Sequence, residues 1–222
     1  MNKPKVGIID YGMANMFSIL RACEHVDLSP ILTSDKNSLN RYDALILPGV
    51  GAFGEAMENL KKLDLIGAIK DFISSDKPFM GICLGMQLLF SESEEFGNYK
   101  GLDIIKGSVK RFAPDPGNRL FKVPHVGWNK ILFNRGSNNL PIFTDLNDGE
   151  YMYFVHSYYV SPNNEQNIAS LTDYSGVKYC SSLIKENVIS FQFHPEKSAT
   201  KGLQIYKNLR KIILNRREQE NA

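Results

Sequence analysis

Apolar and polar positions follow two rhythms along this chain. In the first half, short apolar runs alternate with segments whose apolar residues recur at helical spacing. Residues 5–10 form a buried-strand type of run, closed by a turn at Tyr11-Gly12; residues 15–26 then carry Met16, Ile19, Leu20 and Cys23 at helical spacing. Strands are predicted at 30–33, at 43–47 (stopped by Pro48-Gly49) and at 78–82, and helices at 55–63, 65–73 and 84–92. After residue 100 the rhythm changes. Strand-like runs at 108–112, 129–133, 151–160, 168–172, 179–184 and 188–193 are separated by turn material, notably Pro114-Asp115-Pro116-Gly117-Asn118 and Gly136-Ser137-Asn138-Asn139. A helix over 200–214 closes the pattern. The expected fold is α/β: a mainly parallel central sheet flanked by helices, with an additional β-rich portion in the second half. It is read as one domain over residues 1–222.

Charge and cysteine content narrow the function classes. The chain has 26 basic and 24 acidic side chains, a balance that predicts neither a nucleic-acid nor a membrane surface. The basic stretch Arg210 to Arg217 reads as the solvated face of a terminal helix. No apolar run reaches membrane-spanning length, and the N-terminus lacks a signal-peptide pattern. Three widely spaced cysteines predict no disulfide framework, which points to a reducing, cytoplasmic setting.

One cysteine stands apart. Cys83 lies in Gly81-Ile82-Cys83-Leu84-Gly85, between an apolar strand and a helix. A nucleophile on a sharp strand-to-helix turn has a strained backbone and needs small neighbours, which the two glycines supply. The helix N-terminus adds positive potential that favours a thiolate, and its N–H groups can stabilise an oxyanion. Cys23 and Cys180 have neither flanking glycines nor this setting, and read as small buried hydrophobes.

The base and its orienter are sought at another strand end. In Phe191-Gln192-Phe193-His194-Pro195-Glu196, Pro195 stops the strand and biases His194 to an extended backbone. Residues i and i+2 of an extended chain point the same way, so Glu196 is expected to hold the His194 imidazole. A cysteine nucleophile needs such a base, and the base needs an orienting acceptor. Gly49-Val50-Gly51-Ala52-Phe53-Gly54 matches the dinucleotide-binding glycine pattern, but it follows the third strand and Asp71 falls in a helix. Its glycines are better read as a flexible strand-end loop that offers a backbone N–H to an oxyanion beside Cys83.

These segments, together with Gly85-Met86-Gln87-Leu88-Leu89-Phe90, His125-Val126-Gly127-Trp128-Asn129, Tyr153-Phe154-Val155-His156-Ser157-Tyr158 and Phe193-His194-Pro195-Glu196-Lys197-Ser198, resemble the class I glutamine amidotransferases. Within that class they are most similar to the glutaminase subunits of imidazole glycerol phosphate synthases. The resemblance implies a Cys83–His194–Glu196 triad that hydrolyses glutamine through a thioester. It implies an oxyanion hole from the backbone of Val50, Gly51 and Leu84, and glutamine contacts from Gly49, Gln87, Ser157 and Tyr158. It implies no metal or organic cofactor. It further implies a heterodimer with a (β/α)₈-barrel cyclase that takes up the ammonia, with Trp128, Asn129 and Lys197 toward that partner. The opening turn departs from the family in carrying Ala14 where glycine is usual.

Three alternatives differ in class. The same motifs serve glutaminase partners of ATP-dependent amidotransferases that aminate surface-polysaccharide sugars, and the stretch 179–184 resembles those relatives. A stand-alone cysteine hydrolase on the same elbow usually has its histidine soon after the cysteine, whereas here it lies far downstream. A non-catalytic interaction subunit would use Tyr151, Tyr153, Tyr158 and Tyr159 as a binding surface, though ordinary sheet packing accounts for such residues as well.

Overall fold

The structure, a computed structural model, describes residues 2–113, 122–134 and 136–220. The turn expected at Pro114 to Asn118 lies outside these residues. The first half runs β1 (Lys5–Ile9), α1 (Met16–His25), β2 (Ser29–Thr33), β3 (Ala44–Leu47), α2 (Phe53–Lys62), α3 (Leu65–Ile73), β4 (Phe79–Ile82) and α4 (Leu84–Leu88). Then come β5 (Phe90–Ser93), β6 (Tyr99–Lys100), β7 (Ile105–Arg111), β8 (His125–Lys130) and β9 (Leu132–Phe133). The chain continues through β10 (Tyr151–His156), β11 (Tyr158–Pro162), β12 (Ile168–Tyr174), β13 (Val177–Lys185) and β14 (Val188–Phe191), and closes with α5 (Ala199–Glu220).

One large sheet has the order β2-β1-β3-β4-β14-β13-β11-β7-β5-β6, with β12 and β9 attached through β13. Strands β2, β1, β3, β4 and β14 are parallel; from β13 the pairing turns antiparallel, except between β5 and β7. The β-rich second half therefore continues the parallel sheet through β14 and β13. A separate ribbon pairs β8 with β10.

Period-two alternation divides the core. Val6, Ile8, Ala44, Ile46, Met80, Ile82, Ile189 and Phe191 face α1 and α5; Ile9, Leu45, Leu47, Phe79 and Val188 face α2, α3 and α4. These strands are buried on both faces, as continuous apolar runs in a parallel sheet require.

Several elements differ from their sequence patterns, among them the strand expected over 129–133, which breaks at Ile131 between β8 and β9. The helix expected over 84–92 ends at Leu88, because residues 90–93 pair with β7. All five residues of α4 are buried, so no amphipathic stripe marks where the helix stops. The run 151–160 is two strands broken at Ser157, where the chain leaves the ribbon and enters the large sheet. The last helix continues to Glu220, and its basic end is anchored. The Arg217 guanidinium donates from Nε to Asp43 Oδ1 at 2.9 Å, and Arg216 donates to Ser75 O at 2.8 Å.

Candidate functional site

Strand β4 delivers Cys83 at its carboxyl end. Cys83 N–H donates to Phe191 O at 2.7 Å, which extends the β4–β14 ladder by one residue. The backbone then turns sharply, with Cys83 at φ +54°, ψ −112°, and its carbonyl accepts from Gln87 N–H at 3.2 Å. A positive φ on a non-glycine residue costs on the order of 1–3 kcal/mol and persists only where the surroundings impose it. The surroundings here are the two glycines. A Cβ on Gly85 would sit 1.8 Å from Leu47 O, and one on Gly81 would sit 3.0 Å from Gly85 O. Backbone thus packs on backbone between β3 and the elbow. Gly85→Ala is expected to destabilise the fold by about 3 kcal/mol or more, read as a shift of the urea unfolding midpoint.

His194 keeps the extended backbone expected of a residue before proline, at φ −102°, ψ 95°. Its N–H leaves the large sheet and donates to Tyr153 O of the ribbon at 2.9 Å. Residues Pro195–Lys197 then form a 3₁₀ turn closed by Lys197 N–H on His194 O at 3.0 Å, with Pro195 at its start. Glu196 therefore reaches His194 through a turn and not along an extended chain. The carboxylate Oε1 lies 2.6 Å from Nδ1, and both side chains are almost fully buried. Ser198 clamps the segment: its hydroxyl donates to His194 O at 2.6 Å and accepts from Tyr153 N–H at 3.0 Å.

The electrostatics suit a base and a nucleophile. Burial opposes a charged His194, but attraction to Cys83 and to Glu196 outweighs it and lifts the imidazole to about 10. Among the described residues, neither Nε2 nor the second carboxylate oxygen of Glu196, both buried, has a hydrogen-bond partner. Burial pushes Cys23 up to about 12 and Cys180 higher still, so those thiols are inert by comparison.

Cys83, Leu84, Gln87, Val50, Gly51, Ser157, Tyr158 and His194 line one cavity of about 250 Å³. Sequence reasoning missed Glu95, Val155 and His156, which also line it. Gly49 lies just outside, where a Cβ would meet the Tyr11 hydroxyl at 2.3 Å and Leu84 Cβ at 2.9 Å. The Val50 N–H, expected to face an oxyanion, is engaged elsewhere: it donates to Met13 O at 2.8 Å. Tyr11 Oη donates to Pro48 O at 2.8 Å, so two hydrogen bonds join this loop to the one after β1. Gly51 takes φ +97° beside that bond. Leu84 opens α4, so its N–H has no acceptor within the helix. Glu95 accepts from Phe53 N–H at 2.6 Å and so caps α2, whose own cap residue Ala52 offers no side-chain acceptor. Its carboxyl is raised by burial.

Gln192 was also missed. It is fully buried, and its Nε2 lies 3.9 Å from Cys83 Sγ. The signal was an amide inside an apolar strand, which needs partners to be tolerated there. Gln87 donates to Gln192 Oε1 at 3.1 Å and to Tyr158 O at 3.0 Å. In the ribbon, Trp128 is half exposed, and the half-buried Asn129 donates from its amide to Asp173 O at 2.9 Å. Lys197 is half-buried on the catalytic turn. Ala14 does not take a positive φ, so its turn has no need of glycine. Gly54 packs on the Tyr99 ring, 2.6 Å from where its Cβ would be.

Residues 7–211 match the family model for class-I glutamine amidotransferases. The chain belongs to this family. Among curated relatives, it is 47% identical to imidazole glycerol phosphate synthase subunit HisH of Syntrophotalea carbinolica over 203 residues, covering 90% of this chain and 97% of that one. It is 44% identical to subunit HisH of Aquifex aeolicus, covering 92% and 95%. The amidotransferase fold is shared more widely. PurLQS from Thermotoga maritima aligns with a TM-score of 0.71 at 19% identity, covering 96% and 99%. The glutaminase domain of Trypanosoma brucei CTPS with bound acivicin aligns at 0.68 with 18% identity, covering 96% and 94%. Among the described residues of this amidotransferase, no helix is long and apolar enough to cross a membrane.

Two further histidines of the amidotransferase lie beside the cavity and are held neutral. Burial lowers His125 to about 4 and His156 to about 3. Both fall below the ordinary unfolded value of about 6.5, so the folded state binds fewer protons. Their contribution is fully present above pH 6.5 and is lost as pH falls toward 4. Urea unfolding is expected to show a loss of roughly a few kcal/mol between pH 7 and pH 4. Over the same range down to pH 5, the two imidazole signals should not titrate.

Proposed function

We propose that the chain is the glutaminase subunit of an imidazole glycerol phosphate synthase, working in histidine biosynthesis in the cytoplasm. The observation that carries this is the buried Cys83–His194–Glu196 arrangement opening on one cavity, in a chain 47% identical to a HisH subunit. Glutamine enters with its side-chain amide at Cys83 and its charged end toward Gln87, Ser157 and Tyr158. The Glu95 carboxylate suits the α-ammonium group.

His194 Nε2 takes the Cys83 thiol proton as the sulfur attacks the amide carbon, then delivers it to the nitrogen as the C–N bond breaks, and ammonia leaves. His194 then takes a proton from water as its oxygen attacks the thioester carbon. The C–S bond breaks, glutamate leaves and the thiol is restored. Glu196 holds Nδ1–H throughout, so that Nε2 is the atom that moves protons. Leu84 N–H serves the oxyanion. For Val50 to join it, its peptide must turn away from Met13. The ammonia passes to a (β/α)₈-barrel cyclase in a heterodimer. That partner docks over Trp128, Asn129 and Lys197, and forms imidazole glycerol phosphate and an aminoimidazole carboxamide ribonucleotide.

The test is affinity purification of the tagged chain from its own cells, with the bound protein identified by mass spectrometry. A barrel cyclase is the expected partner. An ATP-dependent sugar amidotransferase would overturn the pathway while leaving the glutaminase chemistry in place.

A further inference from the structure

A file of polar groups, buried from His125 onward, runs from the ribbon to the nucleophile. Asn129 Nδ2 lies 3.5 Å from His125 Nε2, and His125 Nδ1 lies 3.2 Å from Tyr179 Oη. Tyr179 Oη lies 3.2 Å from His156 Nε2, and His156 Nδ1 lies 2.8 Å from Tyr158 O. One arrangement of hydrogens satisfies both rings of this file; the Tyr179 hydroxyl also bonds to Thr172, whose own hydroxyl donates to the Lys130 carbonyl at 3.0 Å. At one end, Tyr158 O is a carbonyl and only accepts, so His156 carries its proton on Nδ1 and accepts on Nε2. Tyr179 must then donate to His156. It accepts in turn from His125, whose proton is therefore also on Nδ1, leaving His125 Nε2 as an acceptor.

The other end fixes the same direction independently. Asn129 Oδ1 accepts from Lys130 N–H at 2.8 Å, and its Nδ2 faces the Asp173 carbonyl at 2.9 Å, so the amide cannot be flipped. Asn129 thus presents a donor to His125. The rings have little freedom. His125 is stacked between Tyr174, with centroids 3.9 Å apart, and Phe154, at 5.0 Å. Both histidines are neutral at physiological pH, as the file requires.

Tyr158 O is also the acceptor for Gln87, which holds Gln192 beside Cys83 Sγ. We propose that Tyr179 is a positioning residue of the site. By donating to His156 Nε2, its hydroxyl holds that ring's Nδ1–H on the Tyr158 carbonyl, which Gln87 shares beside Gln192 and Cys83, and it sets the Nδ1–H tautomer of His125. The tautomer assignment stands apart from the glutaminase reading; only the activity consequence rests on it.

The test is long-range ¹H–¹⁵N correlation on the full chain with ¹⁵N-labelled histidine. Both imidazoles are expected as Nδ1–H tautomers, the minor form of free histidine. In Tyr179→Phe, His156 Nε2 is expected to lose its bonded shift. Asn129→Ala is expected to move the His156 signal in the presence of Tyr179 and to leave it in place in the Tyr179→Phe background. In the assembled enzyme, the Tyr179→Phe change should raise the glutamine KM about tenfold, in line with one lost buried hydrogen bond. An Nε2–H tautomer at either histidine of the unaltered chain would overturn the proposal even if Tyr179→Phe fails to fold. So would an unmoved His156 in a folded Tyr179→Phe variant. An unaltered chain with the expected tautomers but no glutaminase activity would refute the proposed function alone.

Discussion

Replacing Cys83 with alanine will reduce glutamate release by the assembled synthase by about four orders of magnitude or more, while synthesis from added ammonium salt continues. The size follows from removing the atom that forms the covalent intermediate; what survives is binding and oxyanion stabilisation acting on water. Survival of the ammonia-dependent reaction follows from where Cys83 sits. Its side chain lines the cavity, and its backbone bonds to Phe191 and Gln87 do not involve the sulfur. Alanine keeps the Cβ that the elbow already accommodates at φ +54°. Fold and partner docking should persist, and the two rates should separate. Parallel loss of both would mean that Cys83 is structural.

The second large effect belongs to Glu196→Gln. The carboxylate accepts from His194 Nδ1 at 2.6 Å and leaves Nε2 to face the reaction. A glutamine at this place can present its NH₂ instead, which favours the tautomer with the proton on Nε2, the wrong one for a base. A fall of about 10³–10⁴ in kcat is expected, with KM for glutamine changed far less. The pH profile reports the same change. The Glu196 charge is one of the causes that raise His194 to about 10, so its removal lowers that value. The variant's basic limb should move to lower pH. An unchanged limb would show that Glu196 does not act through His194.

Much of this was legible in the chain itself, for reasons specific to each segment. The strands of the parallel half were readable because both of their faces are buried, so Ala44 to Leu47 and Phe79 to Ile82 are unbroken apolar runs. The elbow was readable because Gly81 and Gly85 answer a backbone contact that no side chain could accommodate. Helix α4 misled for the opposite reason. It is buried all round, and pairing with β7 decided its end. The break at Ser157 was hidden because both sides of it alternate correctly; only the change of sheet reveals it. Glu95 and Gln192 were missed because each is defined by a distant partner, Phe53 N–H for one and Cys83 Sγ for the other. The Val50 peptide was assigned by resemblance, whereas its present bond to Met13 depends on how two loops meet.

In the proposed mechanism, Cys83 is the nucleophile for glutamine. This is tested most directly by treating the chain, with its co-purified partner, with a glutamine-mimicking chloroketone and locating the adduct by peptide mapping. One adduct is expected, on Cys83, that excess glutamine prevents and that Cys83→Ala lacks. Label on Cys23 or Cys180, or label on Cys83 that glutamine does not prevent, would contradict it.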